Sequence, residues 1–540
     1  MSRTSPSAGL SFRLQRKALV VSMCVALASA LATLPSALAT TIAPVTQARG
    51  AAEANARSAQ RARIFNHGGA AAVRDRAPQQ AVISGNVLPV NSCADDGSAD
   101  SLRAVVAAAG SGDTIDLKAL NCSTITLTSG EIPVQVDNLT ISGPGSTVLS
   151  INGDNAGRVI AHEGSGRLQI SGVSLVDGLL ATGSDYEGGC LLSNGDVELR
   201  DVTISGCRIS DAPFGIGSGL RALGDALVED STIRDSSIVV DGAAGGSAIA
   251  IEGDLVLINS RITGNTVQIT DVNDYGYIYF GAVNLWGKLT MIRSTVSNNS
   301  SSLADPETPY AFVWGGGVTA QGGGTVIEST IDGNSARDLG GGVTLGGGNV
   351  DARHGLEIIN TTISGNVADT GAGLMVRPEA GWVAIRSSTI VGNFAETGGG
   401  IYFDELDFPL IVELQNNVIA NNIAASGADI GKSDRLTIYG ASNIIVDVQQ
   451  AVLLPADTLR VDPNVLPLAD NGGPTRTHAL GKGSAAIDAG NDYFELGHDQ
   501  RGPGFVRVFG DEADIGAFEA QPLPGSVERI FAHGMEQASP

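Results

Sequence analysis

Residues 360–373 read NTTISGNVADTGAG. A Thr-rich apolar run ends at Asn366, and a Gly-rich run begins at Gly371. Taken alone, the stretch is one turn between two strands. Along the chain it is one of eight copies that align without gaps. They are DVTISGC (201–207), DSTIRDS (230–236), NSRITGN (259–265), RSTVSNN (293–299), ESTIDGN (328–334), NTTISGN (360–366), SSTIVGN (387–393) and NNVIANN (416–422). Their starts lie 27 to 35 residues apart. A period in that range with strand-like content marks a solenoid.

Each unit also carries a small-residue signal ahead of a strand: GGCLL at 188, GGGV at 315 and 340, GAGL at 371 and GGGI at 398. Between the two signals lies a further short run such as TVIEST or GLEIIN. The β-branched residues favour strand over helix, and Gly-Asn closes the strand with a turn. One unit alone cannot bury its apolar face, whereas stacked units can, each strand pairing in parallel with its equivalent one coil away. The expected fold is all-β: a right-handed parallel β-helix with a short N-terminal capping helix, since parallel crossovers take that hand.

In such a stack Cys207 and Ser236 begin a column that Asn265, Asn299, Asn334, Asn366, Asn393 and Asn422 continue. Neighbours would stand about 4.8 Å apart along the axis. The expectation is a structural ladder: Asn tolerates the left-handed conformation of a sharp corner, and its amide can bond to the amide of the next coil. The Ile or Val three residues earlier, from Ile262 to Ile419, should stack inside.

The first residues read as an export signal. Arg3, Arg13, Arg16 and Lys17 precede an apolar run from Ala18 to Leu34, and Ala37-Leu38-Ala39 is a small-x-small cleavage site. Residues 1–39 are thus expected as signal peptide, and 40–90, with six Arg against Glu53 and Asp75, as a disordered linker. No later stretch is apolar enough to cross a bilayer as a helix. Removing 1–39 takes four of the 33 basic and none of the 57 acidic residues, leaving a net charge of −28. A body so acidic disfavours nucleic acid as a partner. Four cysteines remain, an even count that in an exported protein points to disulfides. Cys190 stands where other coils carry the third Gly and Cys207 where they carry Asn, which suits a Cys190–Cys207 pair. That leaves Cys93–Cys122; the alternative is buried free thiols.

The ends differ from the repeat. SLRAVVAAA within residues 91–120 has the only clear amphipathic helix pattern and suits a cap over the first coil, so 91–165 read as cap and first coils. Residues 166–465 read as the body of the β-helix. Residues 466–520 depart from the repeat: NGGPTRTHALGKGSAAIDAG (471–490), DQRG (499–502) and DIGAFE (514–519). Together with the Asn-ended coils these resemble the choice-of-anchor Q domain family of exported bacterial β-helix proteins, which have a pectate-lyase-like fold. SLRAV resembles the SLREA element of related proteins, with Ala104 where Glu is usual, and the coils are similar to the repeats of polymorphic outer membrane proteins. The resemblance implies a secreted or outer-membrane surface protein and no settled reaction. It leaves 521–540 as a tail, a possible sorting tag. Within these motifs Asp488, Asp499, Arg501 and Asp514 form either a buried cluster that ties down the last coil or a metal or catalytic carboxylate site.

Chemistry-bearing motifs are scarce. There is no nucleophile elbow, phosphate loop, paired metal spacing or HExxH, so no metal site and no cofactor are assigned. Ca2+ would suit an acidic body, but no carboxylate cluster supports it. Galacturonan hydrolases use a paired-Asp strand followed by Gly-His-Gly, and here only Arg353-His354-Gly355 is present. Two insertions follow Asn265 and Asn299, on consecutive coils at one corner. They and Trp286 hold eight of the 24 aromatic residues within 40 positions. Asp271, Asp274, Tyr275, Tyr277, Tyr279, Tyr310, Phe312 and Trp314 are the expected ligand site, with rings to stack on sugars and carboxylates to take hydroxyls. The alternative is that the rings pack the insertions onto the helix. A weaker candidate is YFDELDF (402–408), where Asp404, Glu405 and Asp407 could supply an acid and a base. The reading is a non-catalytic adhesion or glycan-binding β-helix. A polysaccharide lyase or glycoside hydrolase, or a structural surface-layer component, are the alternatives.

Overall fold

The computed structural model describes residues 85–181, 186–270, 277–279 (as backbone), 281–305, 312–346, 355–377, 381–404, 410–432, 436–450 and 452–521. These form a parallel β-solenoid of three sheets, with 24, 11 and 8 strands. One coil shows the plan. Val318–Ala320 lies in the eleven-stranded sheet, Gly324–Ile327 and Thr330–Asp332 in the long sheet, and Ser335–Ala336 in the eight-stranded sheet. Each strand pairs in parallel with its counterpart one coil on, as Val318, Thr319 and Ala320 do with Val343, Thr344 and Leu345.

The repeated heptad makes two corners. Its first residue (Asp201, Asp230, Asn259, Arg293, Glu328, Asn360, Ser387, Asn416) has φ between 44° and 59°. Its sixth residue is again left-handed, as at Gly365 (φ 64°) and Asn421 (φ 57°). This corrects the expected role of the Asn column: the corner conformation belongs to the residue before each ladder Asn, so the ladder side chains are free to point inward. There each Nδ2 donates to the next Oδ1: Asn265 to Asn299 at 2.9 Å, Asn299 to Asn334 at 2.9 Å, Asn334 to Asn366 at 3.0 Å, Asn366 to Asn393 at 2.9 Å and Asn393 to Asn422 at 2.9 Å. Each Oδ1 also accepts the backbone N–H of the preceding ladder residue, as Asn366 does from Asn334 at 3.0 Å. The last donor, Asn422, meets Asp429 Oδ1 at 2.9 Å. A second ladder runs through the heptad's second residue. The backbone N–H of each donates to the hydroxyl of the next, from Ser231 through Ser260, Ser294, Ser329 and Thr361 to Ser388, and then to Asn417 and Asn443.

Cys93–Cys122 and Cys190–Cys207 are disulfides. The second occupies the N-terminal end of the Asn column, where Cys207 precedes Ser236. Two disulfides place the chain in an oxidising environment. Among the described residues no helix is long and apolar enough to cross a membrane. The helix Leu102–Ala108 is capped by Ser101, which accepts from Ala104 N, and buries Leu102, Val105 and Val106. Val87–Pro89 falls within the stretch expected as linker, yet it is a strand paired with Thr114–Asp116. Asn86 N–H donating to Asp113 at 2.7 Å fixes its start.

Residues 466–521 do not simply sit on the last coil, as the sequence suggested. They run back along the outer face of the long sheet. Thr330 Oγ1 donates to Arg476 O (2.7 Å), Thr362 Oγ1 to Gln500 Oε1 (2.6 Å), and Ala517 N to Thr389 Oγ1 (3.0 Å). Ser364 Oγ lies 2.8 Å from His478 Nε2. Arg501 organises this segment: it pairs with Asp499 at 2.7 Å, donates to Glu519 O at 2.6 Å and lies against the Phe505 and Phe518 rings.

Candidate functional site

Alternation along a strand fixes which side chains face out. In Val283–Leu285, Val318–Ala320 and Val343–Leu345 the flanking aliphatics belong to the central core. The middle residues Asn284, Thr319 and Thr344 therefore face outward, in register on three successive rungs. Ala250 precedes them in the same row and Met375 follows. All five are buried, though none belongs to a hydrophobic core cluster. Something other than the core covers this part of the outer face.

The described part of that cover is two arginine–tryptophan pairs. Trp314 ends the strand Phe312–Trp314 at the leading edge of the sheet, and Arg377 follows Leu374–Val376 at its trailing edge, two rungs on. Arg377 Cζ lies 4.4 Å from the centre of the Trp314 ring. The two side chains thus meet above the outer face and bridge it. Toward the N-terminus, Arg221 Cζ lies 5.7 Å from the ring of Trp286, again two rungs on. The turn at the leading edge needs Gly: Gly340 has φ 67°, and a Cβ there would collide with Thr344 Oγ1.

On the rungs that these pairs reach lie buried polar atoms that no described group bonds. Asn284 Oδ1, Thr319 Oγ1, Thr344 Oγ1, Gln321 Nε2 and Arg377 Nε are buried without a hydrogen-bond partner among the described residues. Each such atom costs about 1–3 kcal/mol, and native structures hold few of them. Five such atoms stand on one patch of four rungs, without a partner among the described residues. Amide and hydroxyl groups donate and accept alike, and indole rings offer flat apolar faces. That set matches a polyhydroxylated ligand.

The expected site residues fall as follows. Asp271, Asp274, Tyr275 and Tyr310 lie outside the described residues, as do Glu405 and Asp407. Tyr277 and Tyr279 stand opposite Phe312 and Trp314 in a parallel strand pair, so the two insertions continue the solenoid's pairing. Val313 between them is buried in the core under the eight-stranded sheet, while Phe312 is 50% exposed and Trp286 39% exposed. Asp404 follows Ile401–Phe403 at the trailing edge, its N–H on Val376 O at 2.9 Å. Asn284, Thr319, Thr344, Gln321 and Arg377 were not anticipated. The signal for Asn284, Thr319 and Thr344 was a polar residue at the centre of three-residue strands, VNL and VTA and VTL, that otherwise read as core; Gln321 and Arg377 follow the ends of such strands.

Other titratable clusters serve the fold. His498 Nδ1 lies 3.4 Å from Glu328, whose carboxyl burial pushes above its ordinary range. Asp332, likewise raised by burial, pairs with Arg476. Glu519 is pushed up to about 7, chiefly by burial. It accepts from Asp514 N and Phe509 N, both at 2.8 Å. Among the described residues no group of three or more His, Cys, Asp or Glu stands together as a metal site.

The fold defines the chain as a parallel β-solenoid. Among solved structures it is similar to one titled as the crystal structure of pectate lyase Pel9A, at 15% identity, 82% of this chain and 98% of that chain, with a TM-score of 0.40. That likeness is one of scaffold only. No family model and no curated protein matches the chain.

Proposed function

We propose that this is an exported surface β-helix of the choice-of-anchor Q type that binds a glycan, without cleaving it, on the outer face of its eleven-stranded sheet. The buried Asn284, Thr319, Thr344 and Gln321 atoms beside Trp286 and Trp314, which no described group bonds, carry the reading. A ligand with hydroxyls would satisfy those atoms, and the indoles would cover its apolar faces. The described groups on the three polar rungs are amides and hydroxyls beside indoles and a guanidinium, a set suited to holding sugars, and the Glu187 and Glu252 carboxylates at one end are engaged on Arg221. Cleavage of a glycosidic bond asks instead for a pair of carboxylates across it. The signal-like N-terminus and the two disulfides support export.

The test is a glycan array probed with the full chain and with Trp314→Ala. A defined set of sugars should bind the native chain, and Trp314→Ala should weaken that binding at least about tenfold, as loss of a stacking ring does. Release of reducing ends or unsaturated products from a bound glycan would instead favour the lyase or hydrolase reading.

A further inference from the structure

We infer that the glycan held here is short and carries one anionic group, which Arg377 receives. This deepens the glycan reading and rests on it. The chain has 57 acidic residues against 33 basic ones. In such a chain covered arginines readily find carboxylates. Arg103 pairs with Asp95, Arg167 with Asp196 and Glu198, and Arg501 with Asp499. Arg221, at the other end of this floor, has Glu187 and Glu252. No carboxylate among the described residues pairs with Arg377. It is half-buried, its Nε is buried and unpartnered, and the group it touches is the Trp314 ring. A guanidinium held over an indole keeps its charge and its edge donors, which fit a carboxylate, sulfate or phosphate ester in two-point contact.

Size follows from the two arginine–tryptophan pairs. One pair reaches from the Arg221 rung to the Asn284 rung and the other from the Thr319 rung to the Met375 rung, and the three polar rungs they frame span about 10 Å at the usual strand spacing. That length suits a terminal unit of one or two sugars rather than the run of a polymer. Charge argues the same way. A polyanion would be repelled by a chain whose net charge is −24, and −28 without residues 1–39. A single anionic group on an otherwise neutral sugar meets one cation that no described carboxylate pairs, and little repulsion.

The experiment compares short glycans sharing one core, each in a neutral form and in uronate, sialyl, sulfated and phosphorylated forms, together with a long galacturonan. Binding to the full chain is measured by calorimetry. At least one acidic short form should bind about tenfold or more tightly than its neutral parent, and the forms distinguish carboxylate from sulfate from phosphate. Arg377→Gln should abolish the preference, so that neutral and acidic forms bind alike, and Arg377→Lys should restore part of it. Equal binding of neutral and acidic forms would overturn the inference and leave the glycan reading standing. So would tight binding of the long galacturonan alone. No sugar binding of any kind would overturn both.

Discussion

A threonine and a valine have nearly the same shape, and at a buried position valine is the cheaper choice unless the hydroxyl has a partner. Thr319 and Thr344 keep their hydroxyls in a place where the described chain offers none. That is the residue-scale mark of a site. It was half legible: the aromatic insertion led to Trp314, but the floor residues sit in strands whose composition reads as core. Only their position at the strand centre separates them. The ladder asparagines show the opposite case, buried polar groups that are fully bonded. Asn366 donates Nδ2 to Asn393 and to Ile331 O and accepts twice from Asn334. Asn366→Ala should therefore destabilise the fold by about 1–3 kcal/mol for each group it orphans. Urea unfolding checks this, and a change within error of zero would mean that the column only forms turns.

At the scale of the element, the Asn column was legible because its seven-residue unit aligns without gaps. Its geometry was not: Gly-Asn as a pair signals a corner without saying which residue takes the left-handed conformation. The Ser/Thr ladder was equally visible in the second heptad position, yet serine in a turn-rich sequence attracts no notice. Asp429 was illegible, since it follows Asn422 by seven residues and breaks the period. Each ladder amide donates toward the C-terminal coil, so the last donor needs an acceptor with nothing left to donate. Asp429 supplies one. Its Oδ1 accepts from Asn422 Nδ2, and its Oδ2 accepts from Val446 N at 3.1 Å and Asp447 N at 2.7 Å. Asp429→Asn puts an N–H against one of these donors. It should cost about 1–3 kcal/mol and speed amide hydrogen exchange at Asn422, Val446 and Asp447 before coils nearer Asn265. Uniform exchange along the ladder would contradict that role.

For the whole molecule, the solenoid was legible and the course of residues 466–521 was not, because contacts such as Thr362 with Gln500 join positions 138 residues apart. This segment buries acids. Glu519 has a folded pKa of about 7 against an ordinary 4.5. Its contribution is fully present below pH 4.5 and declines as pH rises through 7, by at most about 3 kcal/mol. Burial likewise raises Asp332 and Asp514, which gives the same sign. His162 and His478, whose pKa burial lowers, carry the opposite sign over this range, so the readout is a comparison of two chains: from pH 5 to pH 8 the urea midpoint of the native chain should fall relative to that of Glu519→Gln. The same pH dependence in the two chains would rule this out. The claim that matters most is that the covered outer face of the eleven-stranded sheet exists to bind a ligand. The most direct measurement pairs a melting curve with glycan binding for the double variant Thr319→Val, Thr344→Val in the full chain. If the hydroxyls wait for a ligand, the variant melts at the same temperature or higher and binds at least about tenfold more weakly. If it melts lower and binds as the native chain does, the hydroxyls belong to the fold and the face is not the site.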